Sequence, residues 1–446
     1  MARATVTRIG GWSQAHVRRV VWRAGFGATP HEAAKWAHRG RAATLRWLLT
    51  PNGHPAPLSG PKPMALDPVN EYGHDMLWWM DRMVRTTRPL EEKMVLLWHD
   101  HFATRDVDTP LMLRQNALLR RRALGSFPAL LRAVMEDPAL GTFLNLIGSY
   151  KDEPNENFAR ELMELFTLGE GNGYTEADVR EAARALTGIV RGREAGGVLL
   201  TTRFDPKNHD SGVKRIFGHR GRFGPHDVLR LCVEHHAHAE FLVRKLWSFF
   251  VDEPLDRTTR LRLQRIYVRS GHRLKPVVGA ILDHPALYAH LGGPTMVKAP
   301  AVAIAGMLRG TRLGVRTDDW VWVTGEMGQR LFSPPSVAGW EWGTAWMSSN
   351  GMRMRFVAAN VALSQPGLKV EDGDTPVDLE PEQQLARALK AIGQPWLSPR
   401  ARKGLLSLAK GYDAMAGQKW QRQVAADMTQ RAMRHLLLSA PDAQLH

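Results

Sequence analysis

The stretch that most constrains the fold runs from Pro154 to Gly169, where a helix carries carboxylates toward a face that should be apolar. Asn155 follows Pro154 and is placed to cap the free N–H groups of a first turn, and Gly169 stands where a left-handed C-cap belongs. At about 100° per residue, Phe158, Leu162, Leu165 and Leu168 fall on one arc. Glu161 projects inside that arc, while Glu164 lies at its boundary, within reach of Arg160 at i, i+4. Exposed Glu–Arg pairs are common and weak, so Glu164 reads first as a helix-face salt bridge. A carboxylate on an apolar face is costly unless it is paired, bound to a metal or protonated. Glu161 is therefore the residue that has to be explained.

The rest of the chain is also written in helical period. Helices are expected over 14–27, over 30–49 with Pro30 at the start, and as amphipathic segments over 71–87 and 89–102, with a Pro- and Gly-rich surface loop at 50–70. Further helices fall at 110–136, from the capping-box pair Thr175 and Asp178 to about 187, and at 225–251, 256–270, 273–290 and 296–309. The character changes over 189–224, where Val198-Leu199-Leu200 and Arg203-Phe204 read as strand. Residues 327–356 form a Trp- and Gly-rich block for which no regular structure is expected. The expected fold is mainly α, with a small irregular or two-stranded insertion near 189–224. It is organised as one large domain over 14–365, an acidic linker over 371–382, and C-terminal helices over 383–446 that cap or continue the domain.

Three further places carry chemical groups. On the 89–102 helix, His101 projects with Leu90, Met94, Leu97 and Trp98, whereas His99 points nearly the opposite way, so the two histidines are a poor clamp for one ion. The loop from Phe204 to Lys214 offers a base or ligand in His209, a carboxylate in Asp210 and a cation in Lys214, although turns favour such residues for conformational reasons alone. Trp340, in the Trp-rich block, either packs on the helical body or lines a pocket.

Composition narrows the function classes. No apolar run has the length of a membrane span, and a single cysteine, Cys232, in an apolar helical context excludes an internal disulfide or a cysteine-rich metal site. The basic N-terminus lacks the apolar core of a signal peptide, so cytoplasm is the default expectation. The net charge of +16 would attract nucleic acid, anionic lipid or acidic polymers, but the arginines are scattered over many helices, so nucleic acid is the less favoured partner.

Several motifs, in order, resemble a large bacterial family known only as domain of unknown function number eighteen hundred. They are Arg23-Ala24-Gly25-Phe26-Gly27, Trp98-His99-Asp100-His101-Phe102, the Asn155-Glu156-Asn157 to Glu164-Leu165 block, Tyr174 with Asp178, and Ala185-Leu186-Thr187-Gly188. His209 to Lys214, Val297-Lys298-Ala299-Pro300 and the Pro334-Pro335 to Trp346 block continue the match. Asn145 stands where the family is expected to have Asp, and Ile189 where it tends to have Trp. The resemblance implies no particular reaction. From the residues, the expectation is an enzyme whose site gathers His101, Glu161, His209 and Asp210, with Arg160, Lys214 and Trp340 binding an anionic substrate. Either His101, Glu161, Glu164 and His209 hold one divalent metal, or the same groups work metal-free as general acid and base. The competing class is a non-catalytic basic scaffold that binds a polyanion or partner protein through the Trp-rich block.

Overall fold

Capping chemistry sets where the chain becomes helical. Thr29 accepts a hydrogen bond from the Glu32 amide while the Glu32 carboxylate accepts one from the Thr29 amide, which opens the Pro30–Arg39 helix. Thr175 and Asp178 form the same reciprocal pair at the start of the Glu176–Leu186 helix. Asn155 accepts from the Asn157 amide and opens Glu156–Glu161.

The computed structural model describes residues 11–50, 57–193, 200–415 and 417–446. Over these the chain is mainly helical, and its strands form two small antiparallel pairs inside the expected insertion. Ile189–Arg193 pairs with Leu200–Phe204, Ile189 lying opposite Phe204, and Lys214–Ile216 pairs with His219–Gly221. Val198 and Leu199, the N-terminal residues 1–10 and the 51–56 part of the expected loop lie outside the described residues.

The chain forms two compact units. The first comprises Met1–Pro89, Tyr288–Leu331 and Glu341–His446. In it, Gln14–Arg23 packs on Pro30–Arg39, Pro300–Thr311 packs on His74–Arg85, and the long Lys419–Ser439 helix gathers Ser349–Leu363, Pro381–Ala391 and Pro399–Met415 around it. The 371–382 stretch is fastened there by Asp427, which accepts from the amides of Gly373 and Thr375 at 2.8 and 2.9 Å. Arg309 donates to the carbonyls of Val84 and Thr86 and to Glu32.

The second unit comprises Leu90–Leu287 and Phe332–Trp340. Its first helix, Pro89–His101, was expected to be amphipathic but is buried all round, with Glu91, Glu92, Lys93, His99, Asp100 and His101 no more than 4% exposed. Glu92 tolerates that burial because Arg120 grips it with Nε at 2.9 Å and a second nitrogen. Two other boundaries differ from the periodicity. The expected 273–290 helix ends at Leu282 and resumes as a single 3₁₀ turn, Pro285–Tyr288, and the Ser349–Leu363 helix begins inside the block expected to be irregular, capped by the Ser348 hydroxyl.

Candidate functional site

The helix opened by Asn155 does not continue to Gly169 as one α-helix. Beyond Glu161 it widens into a π-helical segment, Leu162–Thr167, and the Leu168 amide bonds to the carbonyl of Met163, five residues back. Helix ends leave carbonyls in need of donors, and here two buried histidines supply them. His101 Nε2 lies 3.1 Å from the Phe166 carbonyl; His238 Nδ1 lies 2.9 Å from that of Thr167, with its Nε2 2.9 Å from the Tyr267 hydroxyl. A carbonyl can only accept, so the protons sit on Nε2 of His101 and Nδ1 of His238. Both rings are neutral, because burial pushes His101 well below the ordinary histidine range and His238 down to about 4.

His101 is therefore boxed in by Trp98, Phe102, Phe127, Phe166 and Phe241, with its Nδ1 lacking a hydrogen-bond partner. A ring this reluctant to take a proton is a poor general base at neutral pH, and its other nitrogen is occupied by Phe166.

The π segment also changes the reading of the glutamates. Glu161 is half-buried rather than in the core, and Glu164 is half-buried too. Burial, then the charge of Glu164, raises the Glu161 carboxyl, and Arg160 opposes the rise. Arg160 spends its guanidinium on carboxylates of its own chain, with two 2.7 Å bonds to Glu176 and a longer contact to Glu164. That occupies the donors expected to bind substrate.

The His209–Lys214 loop is seated on the end of the Glu176–Leu186 helix. His209 Nδ1 lies 2.9 Å from the Thr187 carbonyl, the Asp210 amide donates to the Thr187 hydroxyl, and the Asp210 carboxylate takes Arg184 Nε at 2.7 Å. Gly188 permits the approach, since a Cβ there would meet the Asp205 carbonyl and His209 at 2.9 Å. Lys214 is 1% exposed and donates to the carbonyls of Asp210 and Gly212, which makes it an internal tether rather than an anion-binding arm. Trp340 is buried as well, donating its amide to Asp100 Oδ1 at 2.8 Å and packing on His99.

Among the described residues, His101, Glu161 and His209 make no hydrogen bond or ion pair with one another. No group of three or more His, Cys, Asp or Glu side chains there could hold a metal ion, so the expected set of His101, Glu161, Glu164 and His209 is not assembled.

Sequence reasoning passed over Lys245, on the His238–Phe250 helix. It lines a cavity of about 990 Å³ in the second unit, walled by Leu168, the Gly171–Gly173 turn, Phe241, Trp247 and the 251–255 segment. Its ammonium is closely surrounded by protein, which lowers its pKa, and Asp100 offsets part of that penalty. It keeps some exposed surface because the cavity opens on it. His101 lies within its electrostatic reach, behind Phe241. The signal was available: at about 100° per residue Lys245 projects between Phe241 and His238, inside an apolar arc.

The Trp98–Phe102 motif singled out in the sequence thus reaches this place, with Asp100 and His101 within electrostatic reach of Lys245. A family model described as Protein of unknown function (DUF1800) matches residues 19–445. The chain belongs to this family. No curated protein and no solved structure matches it. In this DUF1800 chain Asn145 is exposed with φ of 54°, a left-handed turn that Asn and Asp both tolerate. Ile189 begins the first strand of the DUF1800 chain and is 6% exposed. No described helix is long and apolar enough to cross a membrane.

Proposed function

We propose that the chain is an enzyme whose site is the cavity of the second unit, acting by acid–base chemistry on a small molecule whose anionic group is met by Lys245. The reading is carried by the setting of Lys245, crowded by protein, countered by Asp100 and open to a space of metabolite size. A lysine ammonium loses much on desolvation, so burial makes it readier to give up its proton than lysine in water. Asp100 limits that loss and keeps a cation available for an anionic substrate. His101 is a positioning residue in this reading, a neutral ring backing Phe241 and Lys245 and anchored on Phe166. Glu161, His209 and Asp210 do not line this cavity.

The test is a thermal-shift panel of small carboxylates and phosphate esters on the full chain. An anion present at a hundred times its Kd should stabilise wild type by about 2.7 kcal/mol. Lys245→Met should lose that shift and Lys245→Arg should keep part of it. Equal shifts in wild type and Lys245→Met, or no shift from any anion, overturn the reading. Binding of heparin that falls steeply with salt and survives Lys245→Met would instead support the basic scaffold. That class is weakened by the burial of Trp340 and Trp346, two aromatics of its expected contact surface.

A further inference from the structure

In the first unit, the Arg23–Gly27 and Val297–Pro300 blocks converge on a place the proposed reaction does not use. Trp22 lies in a slot kept open by two glycines: a Cβ on Gly306 would stand 2.1 Å from the indole, and one on Gly27, at φ +84°, would stand 2.8 Å from it. Above the ring is Lys298, its Nζ 3.9 Å from the ring centroid and 2.6 Å from the Ala443 carbonyl, to which it donates. An ammonium has three donors, so two remain beyond Ala443. Arg18 gives one guanidinium nitrogen to the Gln394 carbonyl and has further N–H groups.

Lys298 and Arg18 line a cavity of about 430 Å³ whose remaining wall is largely apolar, including Trp22, Met307, Trp396 and Leu437. Its other cations are committed, Arg19 to the carbonyls of Ala289 and His290 and Arg309 to Glu32. Asp442, a carboxylate of the wall, accepts from the Ser398 amide. The space therefore has an apolar body, an excess of positive charge and, on Lys298 and Arg18, N–H groups beyond those given to Ala443 and Gln394.

We infer that this cavity is a ligand site for an amphiphilic carboxylate, with the carboxylate on Lys298 and Arg18 and an aliphatic body of fatty-acid type along Trp22, Met307, Trp396 and Leu437. Cavities of about 300–1,000 Å³ are the usual size for such ligands. A bound carboxylate supplies the counter-charge that Lys298 lacks. Burial, and then the like charge of Arg355, lower its pKa to about 7.

The probes are decanoate, decanol and decylamine, titrated calorimetrically into the full chain at pH 6.5 with tryptophan fluorescence followed in parallel. Decanoate should bind at one site, decanol at least tenfold more weakly, and decylamine not at all. The double variant Lys298→Met with Arg18→Met should weaken decanoate at least tenfold and leave decanol unchanged. Met307→Trp, which fills the cavity, should abolish both, with circular dichroism confirming that each variant folds. Lys245→Met should bind decanoate as wild type does, which separates this site from the one in the second unit. Decanol binding as tightly as decanoate, a double variant that binds decanoate normally, or Met307→Trp that still binds overturns the inference.

Discussion

Lys245 and Lys298 are both lysines drawn out of water at the wall of a cavity, one in each unit, and their partners make them different groups. Lys298 has an indole face and a carbonyl to set against burial, and burial, then the like charge of Arg355, lower its pKa to about 7. Lys245 is opposed by Asp100, a carboxylate that also holds the Trp340 amide. Burial alone does not decide whether a lysine stays a cation; the counter-charge does. The second unit thus keeps a compensated cation beside its cavity, while the first has one that titrates near neutrality and invites an anion from outside.

The comparison breaks most directly at Asp100. Asp100→Asn removes the charge that opposes the fall in the Lys245 pKa and should cost about 3 kcal/mol in urea unfolding, the scale for a buried charged group left uncompensated. Adding Lys245→Met should recover a large part of the loss, and a cost below about 1 kcal/mol would show that the two lysines are not distinguished by charge pairing.

A second effect separates them by pH. Below pH 7 folded and unfolded chains both hold the Lys298 proton; between about 7 and the ordinary lysine value only the unfolded chain does, so stability rises with pH across that window. Wild type should gain about 2–3 kcal/mol on Lys298→Met between pH 7 and 9 when unfolding is measured at both. A flat difference would mean that Lys298 is paired after all.

The third and smallest effect lies on the acid side and belongs to the second unit. The folded pKa of His238 is depressed to about 4, so below the ordinary histidine value the unfolded chain binds a proton that the folded chain refuses, and stability falls with pH down to about 4. His238→Gln retains an amide donor for the Thr167 carbonyl and should remove about 1.2 kcal/mol of the loss between pH 6 and 5. An unchanged acid limb in urea titrations would point to His99 or His101 as its source.

Much of the fold could be read from local chemistry. The caps at Asn155 and at Thr175 with Asp178 lie where their hydrogen-bonding side chains indicated, the paired strands fall within 189–224, and Cys232 is buried as a small core residue, its thiol pushed up to about 12. The candidate site was less legible, and the failures have separate causes. Glu161 was projected with a 3.6-residue period, but the turn that follows it is wider, so Leu165 and Leu168 do not continue its face. Lys214 looked like a free cation because sequence shows its charge and not the two carbonyls that hold it. The helix bearing His101 looked one-sided because the elements covering its other side, among them Phe332 and Trp340, come from more than 200 residues away in the chain.

The π segment at the end of that helix has a consequence for motion. Helix ends ordinarily fray, opening at little free-energy cost while the body stays closed. Here the last carbonyls are held by imidazoles rooted in two other helices, so Phe166 and Thr167 cannot unwind unless His101 and His238 give up buried hydrogen bonds. The Leu168–Gly173 turn, part of the cavity wall, therefore starts from an anchored helix end. The 251–255 segment of the same wall, where the chain leaves its helix, is tied back to it by the Trp247 indole, which donates to the Glu253 carbonyl at 2.7 Å, so this wall too is anchored to a helix.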